Sequence, residues 1–136
     1  MKNFKLILIL MFMSTSLFVR GHAKSDIEVI SVSMYEVLVS PDKFHGKNIE
    51  ITGVYKFDLD LATLYPSKEY FIEDVFESSL SIHLPVWITS ENLEGLTELD
   101  GEYVRVTGEF DAKNRGYGGF NKGQIFNVKQ IIRHSK

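Results

Sequence analysis

One segment of the 136-residue chain carries the residue types that bind polymers. Residues 112–123 hold three bases, two aromatic residues and four glycines, and they hold no acid. Arginine and lysine attract phosphate groups, while aromatic rings stack on bases or on sugar rings. A flexible hairpin, with glycines that permit turns and aromatic rings that cover the mouth of a barrel, would have the same composition. Both interpretations of this segment stay open on the sequence alone.

The residue types that catalyse reactions or bind metals form no convergent set. The chain has no cysteine, which excludes thiol catalysis and thiolate metal ligands. His45 precedes a turn glycine, and His83 alternates with apolar residues, so its side chain should face away from the core. A zinc site needs three or four convergent ligands, and neither a nucleophile elbow nor a phosphate-binding loop is present. We therefore expect no catalytic residue, no metal and no cofactor, and the chain is not predicted to be an enzyme.

Two stretches that repeat each other indicate the elements that must position residues 112–123. Residues 46–55 match residues 101–110 at an offset of 55 positions. Each stretch begins at a turn glycine and then alternates apolar with polar residues, which is the pattern of a half-buried strand. Each also contains a second glycine, Gly53 or Gly108, and a glycine inside a strand marks a bend or the close approach of another backbone. Small closed barrels need such bends, so the repeat favours a barrel.

The remaining patterns supply short helices and further strands. Ser33 and Glu36 form a capping box that predicts a short helix toward Val39, and a second helical turn is predicted to start at Pro41. The other predicted elements are strands at 61–65, 80–86 and 124–132, and a helical segment at 90–99. The predicted fold is mainly β: a five-stranded, OB-fold-like Greek-key barrel with short helical segments before strand 1 and between strands 3 and 4.

A family resemblance covers residues 33–132, nearly the whole barrel. It is carried by Pro41, Phe44, Gly46, Lys47, Ile49, Ile51, Gly53, Leu64, Tyr65, Ser67, Lys68, Glu69, Leu99, Gly101, Tyr103, Val104, Val106, Gly108 and Phe110. In this pattern the chain resembles a group of small exported bacterial OB-fold proteins. The resemblance implies the barrel fold and export, but it names no activity, because OB-folds host many unrelated functions.

The fold assigns a binding face to residues 112–123. In OB-folds, the connections between strands 1 and 2 and between strands 4 and 5 flank the face that binds oligonucleotides or oligosaccharides. The candidate ligand-binding residues are Tyr55, Phe57, Tyr65, Arg115, Tyr117, Phe120 and Lys122. The leading hypothesis is an exported, non-enzymatic binding module for an oligosaccharide, an oligonucleotide or another extended anionic ligand.

The charge distribution leaves a second kind of partner open. The chain has 15 bases and 18 acids, yet residues 112–136 hold six bases and no acid. This polarity steers an anionic partner toward the C-terminal part, or it serves charge pairing within the domain. The alternative function is a protein-interaction module, such as an immunity protein, an inhibitor or an envelope assembly factor. Its contact surface would be the acidic segment 58–77 with Tyr65, Tyr70, Phe71 and Phe76. The expected partner is thus an extended polymer or an envelope protein.

The N-terminus predicts export. Lys2 and Lys5 precede an uncharged run at 6–19, and small residues precede a cleavage site after Ala23. The run is shorter than the roughly 20 apolar residues that span a bilayer, so we expect a cleaved signal peptide and no stable membrane anchor. Without cysteine, no disulfide-linked partner is expected. The predicted organisation is a signal peptide at 1–23, a lead-in at 24–32 and the barrel domain at 33–133, located in the periplasm or outside the cell.

Overall fold

The computed structural model describes residues 26–58, 61–86 and 92–135. The predicted signal peptide lies outside the described residues. In chain order the elements are β1 (Val29–Val32), α1 (Met34–Val39), α2 (Pro41–Phe44), β2 (Asn48–Asp58), β3 (Leu61–Tyr65), α3 (Lys68–Ile72), β4 (Leu80–Ile82), α4 (Leu93–Glu98), β5 (Tyr103–Asp111) and β6 (Gln124–Arg133). Two short 3-10 turns, Phe76–Ser78 and Tyr117–Gly119, precede β4 and β6.

Five of these strands close into a barrel. Hydrogen bonding follows the order β2-β3-β4-β6-β5, and β5 pairs back on β2 to complete the circle. The β4–β6 pair is parallel, and the other four pairs are antiparallel. Helices α1 and α2 precede the first barrel strand, and α4 lies between the third and fourth. The predicted five-stranded, OB-fold-like barrel with its two sets of short helices is confirmed.

The two repeated stretches become neighbouring strands of the barrel. β2 and β5 run antiparallel, and Ile51 lies opposite Val106, the position that matches it in the repeat. A Cβ atom on Gly53 would lie 2.6 Å from the carbonyl oxygen of Tyr65, and one on Gly108 would lie 2.8 Å from that of Phe126. Both glycines therefore lie where another strand's backbone comes too close for any side chain, as the sequence pattern predicts.

Helix α1 forms as its capping pattern predicts. The Glu36 N–H donates to the Ser33 hydroxyl, and the Ser33 N–H donates back to the Glu36 carboxylate, both over 3.1 Å. Hydrogen bonding to Ser33 lowers the pKa of Glu36, and the Ser33 backbone contributes more to this than the Ser33 side chain. Pro41 starts α2. Met34 and Phe44 are buried against the barrel, so the helices close one part of the core.

Two parts of the chain differ most from the sequence predictions. Residues 29–32, placed in the N-terminal lead-in at 24–32, form β1, which pairs in parallel with the start of β2. The strand predicted at 80–86 ends at Ile82, although the His83 N–H still donates to the Ile125 carbonyl over 2.8 Å. Pro85 has no N–H to continue the ladder. Within the described ranges, no helix is both long and apolar enough to cross a membrane.

Candidate ligand-binding face

A cavity of about 210 Å³ opens on the outer face of β3 and β4. We call it the outer cavity. The connection between β5 and β6, which we call the 112–123 loop, and the 3-10 turn at Phe76–Ser78 form its walls. Its lining consists of Leu61, Ala62, Thr63, Phe76, Ser81, Tyr117, Phe120 and Asn121. The two aromatic residues of the loop are thus brought together with β3, β4 and Phe76.

Asn121 anchors the 112–123 loop beside this cavity. Its side-chain amide donates to the Ser79 hydroxyl over 2.8 Å, and that hydroxyl donates to the Phe76 carbonyl over 2.7 Å. Its backbone N–H donates to the Arg115 carbonyl, and its own carbonyl accepts from Arg115 Nε. Asn121 is only 5% exposed, so these hydrogen bonds are protected from water. The loop and the Phe76 turn are therefore linked into one framework.

The aromatic rings at the outer cavity remain accessible. Tyr117 is 83% exposed and Phe120 is 58% exposed, while Phe76 is 39% exposed. Among the residues that the structure describes, these three rings make no ring–ring contact with one another. The interpretation in which the loop aromatics cover the barrel mouth does not match this arrangement, because buried plugs would not expose most of their surface. Tyr117 and Phe120 present most of their surface to a ligand that could stack on them, whereas Phe76 also packs on Tyr65, with ring centres 6.4 Å apart.

The lining of the outer cavity is mostly apolar, but three of its side chains, which we call the cavity floor, are polar and uncharged. Thr63, Ser81 and Asn121 supply two hydroxyl groups and one carboxamide. In the part of the chain described by the structure, neither the Thr63 hydroxyl nor Asn121 Oδ1 has a hydrogen-bond partner. The Ser81 hydroxyl accepts only a long hydrogen bond of 3.4 Å from Gln124. These groups therefore retain donors and acceptors for a ligand.

An ion pair supports the Phe76 wall. Lys56 Nζ lies 2.7 Å from the Asp74 carboxylate and 6.0 Å from the centre of the Phe76 ring. The Tyr65 hydroxyl donates to the same carboxylate. Partial burial raises the pKa of Asp74, but the hydrogen bonds from Lys56 and Tyr65 outweigh it, so the pKa lies below its ordinary value. The charge of Lys56 is thus already paired beside the cavity.

Two of the candidate residues, Tyr55 and Tyr65, are buried and cannot form a binding face. Both side chains are 0% exposed. Tyr65 lies on the outside of β3 but under the α3 connection, where Phe71 meets its ring edge-on at 6.2 Å. Tyr55 belongs to the barrel core, and its hydroxyl is buried with no hydrogen-bond partner among the described residues. Burial raises the pKa of Tyr55, and the negative charge of Asp100 adds a smaller contribution in the same direction.

The other candidates divide between the core and the loop. Phe57 is half-buried and stacks on Tyr55 with ring centres 6.3 Å apart, so it packs at the edge of the core. Arg115 and Lys122 are exposed on the 112–123 loop, but neither lines the outer cavity. Of the seven predicted residues, Tyr117 and Phe120 are the two that line it.

Sequence reasoning missed six lining residues, and the signals for them differ. Leu61 and Thr63 alternate with core residues along β3, so the period of the strand could have placed them on its outer face. Phe76 lies in a 3-10 turn, where no periodicity marks the direction of a side chain. The contribution of Asn121 depends on its hydrogen bond to Ser79, which is 42 positions away in the chain. The six missed residues are Leu61, Ala62, Thr63, Phe76, Ser81 and Asn121.

The acidic segment proposed as an alternative contact surface is only partly accessible. Tyr65 is buried and Phe71 is half-buried, so neither belongs on such a surface. On α3, Ile72 is 72% exposed and Tyr70 is 36% exposed. The accessible apolar side chains of this segment are therefore Tyr70 and Ile72 on the five-residue helix α3, together with Leu61 and Phe76 at the outer cavity.

The other parts of the described chain contain neither a metal-binding cluster nor any of the seven candidate residues in a larger groove. Within residues 26–58, 61–86 and 92–135, no group of three or more histidine, aspartate or glutamate side chains is placed to hold a metal ion. A larger groove of about 460 Å³ lies between α4 and the end of β6, and none of the seven candidate residues lines it.

Comparisons with known proteins give little similarity. No protein-family model matches the chain, and no curated protein matches it. Among solved structures, the chain is similar to one described as an aspartyl-tRNA synthetase from Leishmania major Friedlin, with 9% sequence identity and a TM-score of 0.42. The match covers 95% of this chain and 25% of that one, so the chain spans about a quarter of its length. At this TM-score the likeness carries no argument about the fold or the site, and both are argued from the chain's own residues.

Proposed function

We propose that this chain is an exported, non-enzymatic binding module that holds an extended ligand in the outer cavity. The observation that carries the proposal is that Tyr117, Phe120 and Phe76 line one cavity together with the uncharged polar groups of its floor. Exposed rings beside unused hydrogen-bonding groups are the arrangement by which a shallow site binds a planar or ring-shaped unit.

The position of the cavity in the barrel supports the same function. β3 and β4 are the second and third strands of the barrel, and the 112–123 loop joins the fourth and fifth. OB-folds bind oligonucleotides and oligosaccharides on the face of their second and third strands, beside the loop between the fourth and fifth. The OB-fold assignment of this barrel therefore agrees with the location of the exposed rings.

The chemistry of the lining favours binding over catalysis. The eight lining residues include no carboxylate, imidazole or amine. Serine and threonine hydroxyls act as nucleophiles when an adjacent general base activates them, and the lining supplies no such base. A site built from aromatic rings, hydroxyl groups and one carboxamide can hold a ligand, but it has no group suited to moving a proton at neutral pH.

Export rests on the pattern of residues 1–23. The basic start, the uncharged run and the small residues before Ala23 are typical of a secretory signal. Mass measurement of the protein from its native host should show a chain beginning after Ala23. A chain that retains Met1 in the membrane fraction would contradict this part of the proposal.

The binding proposal is tested by removing the two loop rings together. We expect Tyr117→Ala with Phe120→Ala to abolish binding of any oligosaccharide or oligonucleotide that the wild-type protein binds, since each stacked ring contributes about 1–3 kcal/mol. Tyr35→Ala is the matched control, because Tyr35 is also exposed, at 58%, but does not line the cavity. Isothermal titration of all three proteins measures the difference. Unchanged affinity in the double variant would contradict the proposal.

A second candidate function is a protein contact through α3. The observation in its favour is Ile72, which is 72% exposed between the acidic residues Glu69 and Glu73. If this function holds, Ile72→Lys should abolish recovery of a defined envelope partner in affinity purification, while the Tyr117→Ala, Phe120→Ala variant should retain it. The opposite pattern would contradict the α3 contact.

A further inference from the structure

We infer that the unit held in the outer cavity is an uncharged sugar ring of an oligosaccharide. This inference rests on the proposed binding function and narrows its ligand class. None of the eight lining side chains carries a charge at neutral pH, because the lining consists of aliphatic, aromatic, hydroxyl and carboxamide groups. A site for phosphate or carboxylate groups would be expected to present arginine or lysine to the ligand.

The two kinds of lining group match the two kinds of surface on a sugar ring. A pyranose has apolar C–H faces, which pack on aromatic rings, and an edge of hydroxyl groups, each of which both donates and accepts hydrogen bonds. Phe76, Tyr117 and Phe120 supply the rings. The Thr63 and Ser81 hydroxyls can donate and accept in the same way.

Asn121 strengthens this match because it is nearly completely buried. It is 5% exposed, and one donor of its carboxamide is already used by Ser79. Its Oδ1 atom accepts no hydrogen bond from any described residue. This burial and the Ser79 hydrogen bond hold the carboxamide in place. Oδ1 itself is open to solvent, so a hydroxyl group of a sugar in the cavity would donate to it.

The size of the outer cavity limits what it encloses to one ring. Its volume of about 210 Å³ lies below the roughly 300 Å³ at which sites for whole drug-sized ligands begin. Tyr117 and Phe120 extend from its edge into solvent and are the most exposed rings of the lining. One unit would therefore be held in the cavity while neighbouring units of the same chain stack on the outer rings.

The surrounding charges argue against a nucleic acid. Lys56, beside Phe76, is paired with Asp74 over 2.7 Å, and Arg115 Nε donates to the Asn121 carbonyl over 2.8 Å. The whole chain has 18 acids against 15 bases. Affinity for a polyanion comes largely from cations that contact phosphates. Lys56 is paired with a carboxylate, and the three bases of the 112–123 loop, Lys113, Arg115 and Lys122, do not line the outer cavity.

The test compares neutral and anionic probes on the full mature protein. The neutral probes are maltohexaose, cellohexaose and hexa-N-acetylchitohexaose, and the anionic probes are a twelve-residue oligothymidylate and hexagalacturonate. We expect saturable binding of at least one neutral probe, with the affinity changing less than about twofold between 50 and 500 mM salt. An anionic ligand with three phosphate contacts would lose about 100-fold over the same range.

Thr63→Val is the variant that tests the cavity floor. It removes one hydroxyl from a β-strand residue and keeps the side-chain shape, so the fold should be retained. We expect this variant to bind the neutral probe with about fivefold lower affinity, as for the loss of one hydrogen bond. Wild-type affinity in this variant would overturn the inference, because the sugar would then lie outside the cavity.

The outcomes separate the inference from the proposed function. Binding of only the anionic probes, lost in the Tyr117→Ala, Phe120→Ala variant and steeply dependent on salt, would overturn the sugar inference and leave the binding module standing. Binding of a neutral probe that this double variant retains would overturn both. Binding of no probe in the panel would also overturn both.

Discussion

The repeated strands and the 112–123 loop both combine aromatic residues with glycines, but the two regions use them in opposite ways. In β2 and β5, Tyr55 and Phe110 are 0% exposed, whereas in the loop Tyr117 is 83% exposed. The strand glycines avoid clashes between neighbouring backbones. Three loop glycines instead have positive φ angles, which other residues rarely adopt. The repeated strands therefore contribute to stability, and the loop carries the proposed ligand contact, so we expect that each can be changed separately.

The largest expected effect on stability comes from the repeat glycines. Gly108→Val should lower the free energy of unfolding by about 1–3 kcal/mol, because its side chain would overpack against the backbone of β6. Gly53→Val should cost a similar amount through its contact with β3. Chemical denaturation of each variant measures the change.

Gly95 supplies the control for these variants. It lies in α4, and a Cβ atom added to it would meet no atom outside its own helix within 4 Å, so Gly95→Ala should be neutral or stabilising by up to about 1 kcal/mol. Gly118, in the 112–123 loop, is unsuitable as a control, because its φ is +75° and the Phe120 ring lies where its side chain would go. Equal stability of the Gly108→Val and Gly95→Ala variants would break the comparison.

A smaller effect should distinguish the two buried tyrosines. Tyr65→Phe removes the hydroxyl that donates to Asp74, and it should cost about 1 kcal/mol. Tyr55→Phe removes a buried hydroxyl for which the described part of the chain supplies no partner, and it should be neutral or stabilising. Thermal unfolding of the two variants measures the difference. A larger loss for Tyr55→Phe than for Tyr65→Phe would contradict the assignment of partners.

The same two tyrosines show what the sequence could and could not predict. Period-2 alternation and the glycine spacing were enough to predict β2, β5 and the barrel. They could not predict which aromatic residues stay exposed, since Val54 and Tyr55 are consecutive in β2 and both are buried. The cover over Tyr65 comes from α3, and no local pattern reveals that contact.

The outer cavity was predictable only where one segment contributes to it. The composition of the 112–123 loop identified Tyr117 and Phe120, because bases, rings and glycines occur together within 12 residues. The cavity floor comes from three distant positions, Thr63, Ser81 and Asn121, which meet through pairing of β3 with β4 and of β4 with β6. Neutral side chains of this kind give no sequence signal until the strand pairing is known.

The smallest expected effect is a pH dependence at Asp74. Its pKa is lower in the folded state than in the unfolded chain, so its stabilising contribution is present above the ordinary carboxylate range and is lost as the pH falls through the folded pKa. Asp74 has a φ of +53°, which asparagine also tolerates, so Asp74→Asn removes the charge without backbone strain.

Melting temperatures of wild type and Asp74→Asn between pH 7 and pH 2.5 measure this contribution. The wild type should melt at the higher temperature, by a constant margin down to about pH 5, and the margin should shrink below about pH 4. A margin that grows as the pH falls would contradict the assigned direction of the pKa.

The most direct test of the central claim is to map the bound ligand by nuclear magnetic resonance. Amide shifts of ¹⁵N-labelled mature protein are followed during titration with whichever probe of the panel binds most tightly. We predict that the largest shifts occur at residues 61–63, 76, 81 and 117–121, which surround the outer cavity. Shifts concentrated at residues 92–99 and 129–133, around the larger groove, would contradict the claim that the 112–123 loop forms the binding site.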